Sequence, residues 1–119
     1  MKNRSFAARV GYAINGVRIV FRREKSFRMH IGFGLLAVAI AAVLRVSLVW
    51  WAIVALCVAL VLAMEAMNAA LEYVIDRLHP ELHEEIRRAK DAAAGAVLLA
   101  SIGTAAVGAL MLLAWWLGR

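Results

Sequence analysis

Four polar side chains, Glu65, Asn68, Glu72 and Asp76, interrupt the segment LAMEAMNAALEYVIDRLHPE, residues 62–81, whose other members are mostly apolar. At 100° per residue they fall within about 80° of one another, forming one polar stripe on one helix face. Two carboxylates at one level can hold a hard divalent cation through oxygen ligands, as Mg²⁺ in phosphate chemistry requires. Three more chemistry-bearing residues sit beside long apolar runs: Glu24 before the first, and Lys90 with Asp91 before the last. Lys90 has the charge to neutralise a transferring phosphate, and Glu65 the chemistry of a general base toward a hydroxyl. The plainer alternatives are that Glu65 pairs with an arginine or packs between helices, and that Glu72 and Asp76 form a solvated face.

The elements that must position these residues follow from composition. A chain of 119 residues with 65% apolar residues, 18% charged residues and a mean hydropathy of +0.79 is too apolar for a soluble domain. One proline, eight glycines and abundant Ala and Leu favour helices with short connections. The fold class is therefore an all-α membrane protein, a single domain over 1–119. The lone Cys57 excludes an internal disulfide and reads as a small buried hydrophobe. The N-terminal charges are too scattered for a cleavable signal peptide, which predicts a retained terminus.

Residues 1–28 read as a surface helix and linker. Phe6, Val10, Ile14, Val17 and Phe21 recur at helical spacing, with Arg4, Asn15, Arg18, Arg22 and Arg23 opposite, so the helix suits the headgroup region. Residues 29–119 then hold three spans. Ile31 to Leu44 is short for one, but Met29, His30 and the residues after Arg45 extend it. The second run, Val46 to Met64, continues as a helix until Pro80 ends it, and the third covers Ala92 to Gly118. Trp50, Trp51, Trp115 and Trp116 mark one interface.

Charge sets the orientation. Residues 2–28 carry eight of the fourteen Lys and Arg residues and the 77–91 segment four more, against Arg45 alone between the first two spans. The N-terminus and the 77–91 loop are thus predicted to be cytoplasmic, and the C-terminus outside. A helix starting near Leu48 brings Glu65 about 25 Å along, near the inner edge of a hydrocarbon core about 30 Å thick, and Glu72 to the headgroups. The hydroxyl that Glu65 would meet there belongs to a membrane lipid.

Other classes fit less well. The net charge of +6 is explained by topology and anionic lipid, and no nucleic-acid motif is present. There is no Walker-type loop, protein-kinase signature or Cys/His cluster; His30, His79 and His83 are too scattered to argue a metal site. A small proton-coupled multidrug transporter would also use few helices and a membrane glutamate. Here, however, the acids gather at one face instead of the bilayer midplane. A purely structural scaffold leaves the polar stripe unexplained.

MEAMNAALEYVIDRL followed by RRAKDAAAGAVLLA closely resembles the small integral-membrane prokaryotic diacylglycerol kinases and undecaprenol kinases, from about Gly11 to Gly108. GY at 11–12, the spacing of Glu24 and Arg28, and AKD before the last span carry the same resemblance. FRMH and KDAAAGAV look more like the undecaprenol kinase branch than the enteric enzymes, where a glutamate stands in place of His30. The resemblance implies a homotrimeric lipid kinase with active sites between protomers in the bacterial inner membrane. It would use ATP and Mg²⁺ to phosphorylate undecaprenol or, as the alternative, diacylglycerol. It also implies that Glu65 is the catalytic base and that Glu24 and Glu72 hold the metal accompanying ATP. Tyr12, Glu81, His83, Lys90 and Asp91 match nucleotide-contacting positions, with Asn68 and Arg28 as polar active-site residues. An arginine of the enteric enzymes aligns with Ser5, so either Arg4 or Arg9 substitutes for it or the contact is absent.

Overall fold

The computed structural model describes residues 3–119, and these form four helices: α1 (Phe6–Arg23), α2 (Lys25–Leu44), α3 (Leu48–Leu78) and α4 (Glu84–Trp116). The last three are long and apolar enough to cross a membrane, so the fold is the expected all-helical one with an N-terminal helix and three candidate spans. Helix α3 is the centre: α4 and α2 both pack on it, and α1 lies against the start of α2 and the far end of α3.

Each helix boundary has a local cause. Ser5 caps α1, its Oγ accepting from the Ala8 N–H at 3.2 Å. At the other end Glu24 leaves helical geometry (φ −111°, ψ 111°) while its N–H still reaches the Val20 carbonyl. Arg28 stabilises this bend: its Nη1 donates to the Phe21 carbonyl at 2.6 Å and the Arg22 carbonyl at 3.0 Å, acceptors that a helix end leaves unpaired. The surface helix and the first span are therefore separated by Glu24 alone, and α2 begins at Lys25, earlier than the apolar run suggests. Its 20 residues span about 30 Å, which removes the shortness of the Ile31–Leu44 run.

Helix α2 stops at Arg45, a left-handed residue (φ 53°) whose N–H and that of Val46 close back onto Ala42 and Ala41. A non-glycine residue there costs about 1–2 kcal/mol. Helix α3 runs unbroken through the polar stripe to Leu78, and His79 and Pro80 end it as expected. Helix α4 starts at Glu84, well before its apolar run, with His83 as N-cap and Glu84 and Glu85 in the favourable first turn.

Two apolar clusters hold the helices in place. Val20, Phe27 and Ala69, with Ile31, Leu62, Ala66 and Tyr73 against them, join α1, α2 and α3 at the level of the polar stripe. Ala41, Val54 and Met111 join α2, α3 and α4 at the opposite end. Gly34 allows α2 its close approach to α3, because a Cβ there would stand 3.0 Å from Val58 Cγ1. Large apolar side chains such as Leu35, Val43, Leu56 and Leu99 point outward, as lipid-facing surfaces require.

Candidate active site

Glu65 is the one buried charged residue among those described, 6% exposed on the face of α3 that meets α2. Burying a carboxylate without partners costs several kcal/mol, so its neighbours matter. Its Oε1 is in contact with Nδ1 of His30, and its Oε2 lies 3.4 Å from Ser26 Oγ. Both partners come from the first turns of α2, one turn apart, so the bend at Glu24 brings them across to α3.

A cavity of about 280 Å³ opens beside Glu65, lined by Glu24, Ser26, His30, Glu65, Asn68, Ala69, Ala94 and Val97. Asn68 Oδ1 is buried there without a hydrogen-bond partner among the described residues. An unpaired buried oxygen costs about 1–3 kcal/mol, and a ligand or water filling the cavity would relieve it. Glu24 is held by the Tyr73 hydroxyl, which donates to its Oε1 at 2.9 Å. The ring of Tyr73 in turn carries the Arg23 guanidinium at 4.3 Å. Half-buried Glu72 precedes Tyr73 on α3 and is not among the residues that line the cavity. No group of three or more ligating acidic, His or Cys side chains forms among the described residues. The cavity's oxygen donors are the Glu24 and Glu65 carboxylates, the Ser26 hydroxyl and the orphan Asn68 amide oxygen, beside the His30 ring that Glu65 already engages. Such a set suits a hard cation that keeps most of its shell as water and phosphate oxygens.

Three turns further along the same stripe, Lys90 of α4 pairs with Asp76 at 2.7 Å, and Asp91 beside it is exposed. The polar stripe of α3 therefore faces two neighbours, Glu65 meeting α2 and Asp76 meeting α4.

The remaining sequence-predicted residues stand outside this cavity. Tyr12 is 44% exposed on α1, beside Phe6, Arg9, Val10 and Ala13. Glu81 lies in the exposed 79–83 connection, its carboxylate 3.3 Å from His79 Nδ1. His83 Nδ1 accepts from the Glu85 N–H as the α4 cap. Arg28 is spent on the α1 carbonyls already described. Ser26, His30 and Tyr73 were not among the expected site residues, and each is brought in by packing between helices. His30 also borders a second, apolar cleft of about 330 Å³ between α2 and α4, lined by Phe33, Gly34, Ala37, Val58, Val61, Ser101, Thr104 and Ala105.

Comparison with known proteins adds an independent line. The family described as prokaryotic diacylglycerol kinase matches residues 11–112. A diacylglycerol kinase of Synechocystis is 40% identical over 103 residues, covering 86% of this chain but only 59% of the relative, so the chain spans well short of that protein's whole length. The diacylglycerol kinase of Escherichia coli K12 is 40% identical over 77% of this chain and 75% of its own. The undecaprenol kinase of Bacillus subtilis is 29% identical over 93% of this chain and 89% of its own.

Proposed function

Because the chain belongs to the prokaryotic diacylglycerol kinase family, we propose that it is a membrane lipid kinase that uses ATP and Mg²⁺ to phosphorylate a lipid alcohol, undecaprenol first and diacylglycerol second. The observation that carries this reading is the buried Glu65 carboxylate at a polar cavity, with His30 shared between that cavity and the apolar cleft. A lipid tail in the cleft would deliver its hydroxyl to the carboxylate.

In the transfer, Glu65 takes the proton as the acceptor's O–H bond breaks. The oxygen's electron pair forms the new bond to the γ-phosphorus, the bond to the β,γ-bridging oxygen breaks, and that electron pair leaves with ADP. Most of the rate enhancement comes from positioning and charge neutralisation. Glu24 and Glu72 would hold the divalent ion, which supplies charge compensation to the phosphates. Tyr73 keeps Glu24 oriented, and Lys90, released from Asp76, has the reach and charge to meet a phosphate oxygen.

Undecaprenol is favoured by the cleft's chemistry. Its walls are apolar, and the Thr104 hydroxyl is already committed to the Ala100 carbonyl at 2.9 Å, which leaves few partners for the two ester groups of a diacylglycerol. The higher identity to relatives named diacylglycerol kinase supports the second substrate. The basic N-terminal segment and 77–91 loop support a site at the cytoplasmic face of a bacterial inner membrane, where ATP is available. Tyr12, Glu81 and His83, away from the cavity of their own chain, fit a homotrimer whose sites lie between protomers.

Initial rates of phosphoryl transfer from labelled ATP to undecaprenol and to diacylglycerol, side by side in mixed micelles, test the reading. Faster turnover of undecaprenol is expected. Preference for diacylglycerol reverses the substrate order, and transfer to neither ends the kinase assignment.

A further inference from the structure

The two oxygens of Glu65 are not equivalent. Oε1 contacts His30 Nδ1, whereas Oε2 has only the long 3.4 Å approach of Ser26 Oγ. The same Nδ1 lies 3.1 Å from the Ser26 carbonyl one turn back along α2. A carbonyl oxygen and a carboxylate oxygen both accept, so Nδ1 is the nitrogen that carries the hydrogen, bridging helix backbone and carboxylate together. Among the described residues, His30 is the only nitrogen base within ion-pair distance of Glu65.

The imidazole itself is held in place. Its Nδ1 is tied to its own helix, its ring stands edge-on to Phe33 with centroids 6.0 Å apart, and it is 25% exposed. It also lines both the polar cavity and the apolar cleft, at the seam where a lipid hydroxyl would pass from one to the other. We propose that His30 is the positioning residue of the base: by fastening Oε1, it turns Oε2 toward the incoming hydroxyl and holds it there. The proton lost by the acceptor then forms the new O–H bond on Oε2, while the His30 N–H stays on Oε1. Ser26 Oγ, held only weakly, gives way to the acceptor hydroxyl. This inference rests on the reading of Glu65 as the base.

A pair of near-isosteric variants tests it. The side-chain amide of His30→Asn puts an N–H close to the position of Nδ1, whereas that of His30→Gln puts it near Nε2. His30→Ala removes both. We expect kcat to fall about 10- to 100-fold in His30→Ala and His30→Gln, with KM for ATP little changed, and most of the rate to return in His30→Asn. In the Glu65→Gln background, His30→Ala should cost nothing further, because the two residues act as a unit. Equal rates in the Asn and Gln variants, or a multiplicative loss in the double variant, overturn the positioning role, while a measurable Glu65→Gln rate about 10²-fold below the wild type keeps the base reading intact. An active Glu65→Gln enzyme overturns the base reading, and the inference with it. If His30→Ala does not assemble, the Asn and Gln pair decides alone.

Discussion

Replacing Glu65 by Gln alters the proposed base and almost nothing else. In the wild type Oε1 accepts from His30 and Oε2 faces Ser26 Oγ. A glutamine can turn its carbonyl oxygen to the His30 N–H and its amide to the Ser26 hydroxyl, so both contacts survive. What is lost is the capacity to take a proton, a contribution of about 10²- to 10⁴-fold for a positioned general base. The lower end of that range corresponds to about 2.7 kcal/mol of transition-state stabilisation. Stability should move the other way: at 6% exposure the carboxylate is largely removed from solvent, and an uncharged amide is easier to bury. Initial transfer rates in mixed micelles, nucleotide binding and thermal unfolding, measured on one preparation, separate these effects. The expected protein transfers phosphate at least about 10²-fold more slowly, binds nucleotide as before, and unfolds at the same or a higher temperature. A variant with normal turnover and a lowered unfolding temperature would show Glu65 to be a packing residue and remove the base from the mechanism.

Three further outcomes are expected. Glu24→Gln and Glu72→Gln should each raise the Mg²⁺ concentration needed for half-maximal rate, with partial recovery at high Mg²⁺; an unchanged Mg²⁺ dependence in both takes them out of the metal site. Gly34→Leu should force α2 away from Val58 and carry Ser26 and His30 off Glu65, lowering transfer about 10-fold or more, while Gly32→Ala, with nothing within 4 Å of its added Cβ, should retain it. Full activity of Gly34→Leu would show that the α2–α3 approach does not set the site. In a Cys57→Ala background, Glu84→Cys should stay unlabelled by an impermeant thiol reagent in intact cells and react after lysis; labelling before lysis reverses the orientation.

The helices were legible because apolar content and length specify a bilayer span with little help from tertiary structure. Their ends were less so. Polarity marks where α4 enters the bilayer, near Ala92, but not where its hydrogen bonding begins. The polar turns from Glu84 onward remain helical through the His83 cap and the local pairs of Glu84 and Glu85 with Arg87 and Arg88. The same distinction explains Glu24. As an acid before an apolar run it was evident; as the single residue separating two helices it was not. The bend depends on Arg28 reaching back to carbonyls that become free only once α1 has ended.

The site divides along the same line. Periodicity placed Glu65, Asn68, Glu72 and Asp76 on one face of α3, and that grouping follows from helix geometry alone. Which neighbour each one meets does not. On that one face Glu65 contacts His30 of α2 while Asp76, three turns on, pairs with Lys90 of α4, and a periodicity of 3.6 residues contains no information about what packs against a face. His30 shows the consequence. It is one of three histidines with no mutual spacing that suggests a site, and its partner lies 35 residues away across a helix interface. The only local trace is that Ser26 and His30 are one turn apart, so both side chains point the same way from α2. That trace acquires meaning once Gly34 is seen to let α2 settle against Val58, which brings the Ser26–His30 face onto Glu65. A carboxylate in this layer can thus be found from its cost to the membrane. The residue that aims it is found only from the close contact between two helices.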